Sequence, residues 1–347
     1  MPYAFVVTRT GCEALLKREV SRTRPEFRPA FSRKGLVTFR VPEEETLETL
    51  SRWPVIFGRV RGLTLRRIDD LAGLPAAVAE AVAPWRGKGP VRLHVFDRDG
   101  DDPRDDRRPF QDLARTLRDR LRESAPPGTF HGDATARVED LVLDVLVMGP
   151  REVLLGLHRH HGDQSPHPGA CPPLEPPAAV PSRAWWKLEE ALLRTGLHPR
   201  AGEKAVDLGC SPGGASLALM HRGLEVWGVD PTPVDPSLVL GNGPGRFTQI
   251  QRPVQAVHPG DLPREFQWMV VDINEGPDRV LPEVRRLAQG RHLRGLLVTV
   301  KANRLEVADR IPIIEAFLRD LGFRQVRLFQ GYHHHREFMA AAWGQRG

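Results

Sequence analysis

The chain has 347 residues, 40% hydrophobic and 27% charged, enough for two or three domains that each bury a core. Three scattered cysteines, Cys12, Cys171 and Cys210, imply neither a disulfide framework nor a thiolate metal site, so we expect no metal and a reducing, cytoplasmic setting. A net charge of +6 suits a polyanionic partner, although genomes rich in G and C enrich arginine, proline, glycine and alanine together.

We expect neither a leader nor a membrane span. Met1-Pro2-Tyr3 opens directly into a strand-like segment, and charges interrupt the apolar runs well before bilayer length. The periodicities over residues 1–60 predict a small α+β unit: a strand from Tyr3 to Thr8, a helix from Glu13 to Arg22, a strand from Gly35 to Val41 and a helix from Glu44 to Leu50. Residues 61–160 continue in the same style. A strand from Arg59 to Arg66 leads into a helix at Ala72 to Val82 and a strand at Val91 to Phe96. A mixed-charge loop from Asp97 to Arg108, an Arg-rich helix from Phe110 to Ser124 and a hairpin of Leu141–Met148 with Glu152–His158 follow. This half reads either as a basic binding module or as a structural α+β domain with a charged surface. Residues 161–181 are too rich in proline for a helix or a packed core, so they form a semi-rigid linker or an extended segment laid on a neighbour.

From residue 182 onward, strands alternate with helices in α/β fashion. Ser182 is placed to cap a helix that carries Trp185, Trp186 and Lys187. Lys204 to Asp230 reads as strand, Gly-rich turn, helix and strand, a nucleotide-binding βαβ unit. Its turn is Gly209-Cys210-Ser211-Pro212-Gly213-Gly214, and Asp230 ends the second strand, where an acid can accept from ribose hydroxyls. Dinucleotides and S-adenosylmethionine both use such a unit. The turn is not G-x-G-x-x-G, and Asp207 stands two residues before its first glycine; an acid there suits a cationic methionine end better than a pyrophosphate.

Further strands are predicted at Trp268–Val271, Gly295–Val300, Gln325–Phe329 and Glu337–Ala342, with helices at Asp278–Gln289 and Ile311–Leu321. Ligands of open α/β sheets sit at the carboxyl ends of strands, where Asp207, Asp230, Asp272 and Lys301 all fall. Three histidines, His333 to His335, alternate faces if they lie on a strand and then cannot share one metal ion. Trp185 and Trp186 either cover the sheet edge or stack on a base.

Lys187, Asp272, Lys301 and Glu337 resemble the Lys-Asp-Lys-Glu tetrad of FtsJ-type RNA ribose 2′-O-methyltransferases. The runs PSRAWWKLEEA, AVDLGCSPGG, WMVVDINEGP, TVKANR and YHHHRE are similar to those of the bacterial 23S ribosomal RNA cytidine 2′-O-methyltransferase family, across Pro181 to Met339. In the first half the likeness is one of layout alone.

The resemblance implies a Rossmann-like S-adenosylmethionine-dependent methyltransferase domain over 182–347. It also implies a ferredoxin-like unit over 1–60 and a THUMP-like RNA-binding region over 61–160. It implies Lys301 as the base, its pKa lowered by burial and by Lys187, with Asp272 and Glu337 as its partners. Donor binding would fall to Ser182, Asp207, Gly209, Ser211, Pro212, Gly213, Gly214, Asp230 and Asp272. The substrate would be a cytidine of 23S RNA and the enzyme a monomer. One departure stands out: the family's acid near the adenine is absent, and the corresponding loop reads Gln251-Arg252-Pro253-Val254. That loss leaves room for an RNA-binding protein without turnover. A base methyltransferase is disfavoured because DINEGP stands where a D/N-P-P-Y/W sequence is needed.

Overall fold

Apolar alternation over the first half of the chain produces a single mixed sheet, seen in a computed structural model that describes residues 1–102, 108–239 and 244–345. The chain divides into two compact units, Met1–Pro172 and Pro173–Gly347. In the first, the elements are β1 (Tyr3–Val7), α1 (Glu13–Thr23), β2 (Arg28–Arg33), β3 (Leu36–Arg40), α2 (Leu47–Arg52), β4 (Val60–Ile68), α3 (Leu74–Val82), β5 (Arg92–Asp97), α4 (Gln111–Ser124), β6 (Leu141–Gly149) and β7 (Glu152–Arg159). The strand order is β2-β3-β1-β4-β7-β6-β5. Strand β4 pairs with β1 on one side and β7 on the other, so residues 1–60 and 61–160 share one sheet. Strand β6 is buried along its whole length, and its one charged residue, Asp144, is paired with His158 Nδ1 at 2.6 Å.

The periodicities did not reveal β2. Its sequence, RPAFSR, is mostly exposed and has no apolar alternation; a two-residue Lys34-Gly35 turn, with Gly35 at φ +79°, sets its pairing with β3 instead. The mixed-charge loop expected over Asp97–Arg108 lies partly outside the described residues, at 103–107.

Four arginines of this unit are internal. Arg9, Arg59, Arg61 and Arg92 are among its largest fully buried side chains. Arg59 and Arg108 both donate to Asp99 Oδ1, at 2.8 and 3.1 Å, while Arg61 meets Asp163 at 2.5 Å and Arg92 meets Asp133 and Asp140, each at 2.6 Å. Burial alone would raise the Asp99 carboxyl, but Arg59, Arg108 and Arg9 outweigh it and hold it below the usual carboxylate range. A buried guanidinium needs such partners, and these arginines are therefore engaged within the fold.

The proline-rich stretch lies on its own unit as far as residue 171. Gln164 Nε2 donates to the Ser51 carbonyl at 3.2 Å, and Ala170 is fully buried in the cluster that contains Phe96.

The second unit contains α5 (Ala184–Thr195), β8 (Lys204–Leu208), α6 (Gly214–His221), β9 (Glu225–Val229), α7 (Pro236–Val239), β10 (Arg246–Ile250), β11 (Trp268–Val271), α8 (Pro277–Ala288), β12 (Gly295–Lys301), α9 (Ile311–Asp320), β13 (Phe323–Phe329) and β14 (Glu337–Gln345). The order β10-β9-β8-β11-β12-β14-β13 is parallel from β10 to β12, and β14 is antiparallel to both its neighbours. This is a Rossmann-like α/β fold. Strand order reverses between β8 and β11, and the crevice beyond their carboxyl ends is where such folds hold ligands. Strand β10, RFTQI, is a polar edge strand and escaped the period-two reading. Among the described residues no helix is long and apolar enough to cross a membrane.

Candidate active site

Register brings the first two candidate residues together. Lys301, the last residue of β12, stands directly opposite Glu337, the first of β14, in the antiparallel ladder. Asp272 follows β11, the parallel neighbour of β12 on its other side, and Lys187 reaches the same place from the first turn of α5.

The four side chains close a ring of alternating charge. Lys187 Nζ lies 2.9 Å from Asp272 Oδ2 and 2.7 Å from Glu337 Oε1; Lys301 Nζ lies 2.6 Å from Asp272 Oδ1 and 2.6 Å from Glu337 Oε2. Each ammonium thus bridges both carboxylates. All four side chains are between 7% and 13% exposed, so water does little to screen them.

Burial alone would lower the Lys301 pKa, but the Asp272 and Glu337 carboxylates outweigh it, and the ammonium is held above its ordinary value. This corrects the expectation of a lowered lysine: the like charge of Lys187 is offset by two acids that both lysines share. Burial likewise opposes ionisation of Glu337, yet Lys187 and Lys301 hold its carboxyl well below the usual range.

A further layer, which the sequence reading missed, pins the turn before β14 to α5. Fully buried Glu190 accepts from the backbone N–H groups of Tyr332, at 2.9 Å, and His333, at 3.3 Å. Gln330 Nε2 donates to the His335 and Glu337 carbonyls at 3.1 and 3.3 Å. His334 Nδ1 accepts from the Gly331 N–H at 3.2 Å, and burial pushes this imidazole down to about 3, so it is neutral. The available signal was spacing, since Glu190 follows Lys187 by three residues and shares its helix face.

The histidine run therefore occupies a turn between β13 and β14, not a strand, and His334 is buried. Among the described residues no group of three or more His, Cys, Asp or Glu side chains could hold a metal ion.

The Gly-rich turn connects β8 to α6 beside this ring. Its glycines make room for the protein's own atoms. Gly209 has φ +81°, and a Cβ there would lie 2.6 Å from the Asp272 carbonyl oxygen. At Gly214 a Cβ would lie 2.4 Å from Ser182 Oγ and 2.8 Å from the Trp185 nitrogen, so this glycine lets α6 start against the beginning of α5. Gly213, at the N-cap of α6, faces Leu238.

Ser182 lies one residue ahead of the α5 N-cap, which is Arg183, and its Oγ accepts from the Ala184 N–H at 3.4 Å. Ser211, joined to Pro212 by a cis peptide bond, donates from its backbone nitrogen to Asp230 Oδ2 at 3.2 Å and from its hydroxyl to the Pro233 carbonyl at 2.9 Å. Asp230 Oδ1 accepts from the Thr232 N–H at 2.8 Å.

Asp207 does not open onto the crevice, contrary to the expectation that it faces a ligand. It has no exposed surface, its Oδ2 accepts from Ser216 Oγ at 2.6 Å, and burial raises it to about 7. Its Oδ1 has no hydrogen-bond partner. In the Gln251-Arg252-Pro253-Val254 loop, Gln251 Nε2 donates to the Pro231 carbonyl at 3.3 Å, beside the Asp230 loop.

In keeping with this geometry, residues 180–274 match the FtsJ-like methyltransferase family. More particularly, the chain is similar to proteins named ribosomal RNA large subunit methyltransferase M. It is 33% identical to that of Alkalilimnicola ehrlichii over 57% of this chain and 56% of the relative. Identity is 31% with that of Halorhodospira halophila, over 61% and 59%, and 32% with that of Methylococcus capsulatus, over 50% of each. The matched part of the chain thus spans about half the length of these relatives.

Gly214→Ala should drive the start of α5, and Lys187 with it, away from the ring. We expect a loss of about 1–3 kcal/mol, the usual cost of overpacking, in urea denaturation; an unchanged midpoint would show that α5 is not held by this contact.

Proposed function

We propose that the protein transfers a methyl group from S-adenosylmethionine to a ribose 2′-hydroxyl of RNA, and that the substrate is a cytidine of 23S ribosomal RNA. The observation that carries this reading is the closed ring of Lys187, Asp272, Lys301 and Glu337 at the carboxyl edge of the sheet. The similarity to large subunit methyltransferases supports it.

The residues present fit the donor. Asp230, half-buried at the end of β9, offers carboxylate oxygens to a ribose diol, and Ser182, Ser211, Pro212, Gly213 and Gly214 surround the turn that would receive the amino-acid end. Asp207 is enclosed below the turn and raised to about 7 by burial, and Asp272 beside it is shared by Lys187 and Lys301, so half-buried Asp230 is the acid placed to meet the donor directly. When bound, the donor supplies an activated methyl carbon that the ribose oxygen takes as the carbon–sulfur bond breaks and its electron pair stays on sulfur.

Lys301 is the proposed proton acceptor. A ribose hydroxyl is a weak nucleophile until its proton leaves, so alignment and proton removal are the tasks left to the protein. Lys301 is protonated in the ligand-free ring. A sulfonium placed beside it adds a like charge, which favours the neutral amine. Glu337 and Asp272 then fix the position of the nitrogen, while Lys187 helps to keep the Glu337 carboxyl ionised. The first unit, read as the ferredoxin-like and THUMP-like half, holds RNA through phosphates, and we place the enzyme in the cytoplasm.

Lys301→Ala should abolish methyl transfer while leaving donor and RNA binding nearly intact, and the wild-type rate should climb with pH through the alkaline range. Retained turnover in the variant, or a flat pH profile, would remove Lys301 from this role. RNA affinity should fall steeply with salt, log affinity dropping by about 0.7–0.9 per phosphate contact for each log unit of salt; a flat response in a filter-binding titration would exclude phosphate contacts as the main hold.

A further inference from the structure

The elements that deliver the charged ring also carry three aromatic side chains beside its residues in sequence. Trp186 immediately precedes Lys187 on α5, and Tyr332 and His333 lie in the turn that leads to Glu337. Trp185 is buried in the core of the unit, and Trp186 packs against it edge-on at 5.5 Å while remaining half-buried, as Tyr332 and His333 are. Trp186 and His333 are tilted by 33° with centroids 6.1 Å apart, and Tyr332 sets its ring edge-on to His333 at 5.0 Å.

That spacing is neither a tight stack nor an edge-to-face contact. An inserted planar base needs about 7 Å between two rings, a van der Waals contact of about 3.5 Å on each face. A modest opening of the 33° wedge provides it. Exposed Arg183 lies one turn before Lys187 on the same helix face, as the Lys187 N–H bond to its carbonyl at 3.1 Å records, and its guanidinium donates to the His335 ring. A guanidinium carried on the same helix as an aromatic ring adds the positive charge that a nucleotide's phosphate takes.

We propose that Trp186 and His333, backed by Tyr332, receive the base of the target nucleotide while its 2′-hydroxyl lies at the charged ring. The base is attached to the sugar carbon adjoining the one that bears the hydroxyl, so it must rest within a nucleoside's width of Lys301. These rings stand on the two elements that carry Lys187 and Glu337. The inference rests on the methyl-transfer reading and extends it to the way the target is held.

The test is a cycle of rates. Methyl transfer by the wild type, Trp186→Ala, Trp186→Phe and His333→Ala is measured on an RNA containing the methylated position. It is measured again on the same RNA lacking only the base at that position. Trp186→Ala should lower kcat/KM on intact RNA by about 5- to 150-fold, the range of one stacked base, with donor affinity unchanged; His333→Ala should lower it less, and Trp186→Phe should retain most of it. On the abasic RNA the wild type should fall to or below the level of Trp186→Ala on intact RNA, and Trp186→Ala should lose less than the wild type does, because its share of the base contact is already gone. Additive losses, or a Trp186→Ala rate equal to wild type, would overturn the ledge while leaving methyl transfer standing. A wild type that transfers no methyl to RNA would overturn both.

Discussion

Four alternating charges, each touching two of opposite sign, are the constraint on which the second unit depends. Two ammoniums and two carboxylates almost removed from water are costly to desolvate singly, and the ring offsets that cost only while all four are present. Its geometry also restricts the backbone. Lys301 faces Glu337 only in the observed register of β12 and β14, and a slip by one residue would turn one of them to the opposite face of the sheet. Asp272 keeps its place because Gly209 leaves room for its carbonyl, and Lys187 keeps its place because Gly214 lets α5 approach.

The ring is supported from behind. Glu190 takes the N–H groups of the Tyr332–His333 turn, Gln330 holds the backbone on either side of it, and a neutral His334 fills the interior. Such a layer fixes the side chains of the ring before any ligand arrives, which is where positional precision in a site originates. The same turn carries Tyr332 and His333, so pinning it orders both the charged ring and the aromatic wedge.

Asp272 and Lys301 were legible because buried parallel strands write themselves as apolar runs, and a charge ending such a run sits at the ligand edge of the sheet; Lys187 and Glu337 joined them only through the resemblance to the Lys-Asp-Lys-Glu tetrad. The two edge strands β2 and β10 were not legible, since polar edges carry little alternation. Nor could the sequence say which charges face inward. Asp207 reads like Asp230, yet it is enclosed under the turn, and Arg9, Arg59, Arg61 and Arg92 count toward a net charge of +6 while lying paired inside the first unit. The direction of the Lys301 shift was hidden for a related reason: it depends on two acids at 2.6 Å, a distance that only the assembled sheet provides.

The central claim is that this charged ring acts on a sugar oxygen. Incubation of the protein with methyl-labelled S-adenosylmethionine and ribosomal RNA, followed by digestion to nucleosides, tests it most directly. The account predicts label in a 2′-O-methylated cytidine; label on a nucleobase, or none on RNA, would contradict it.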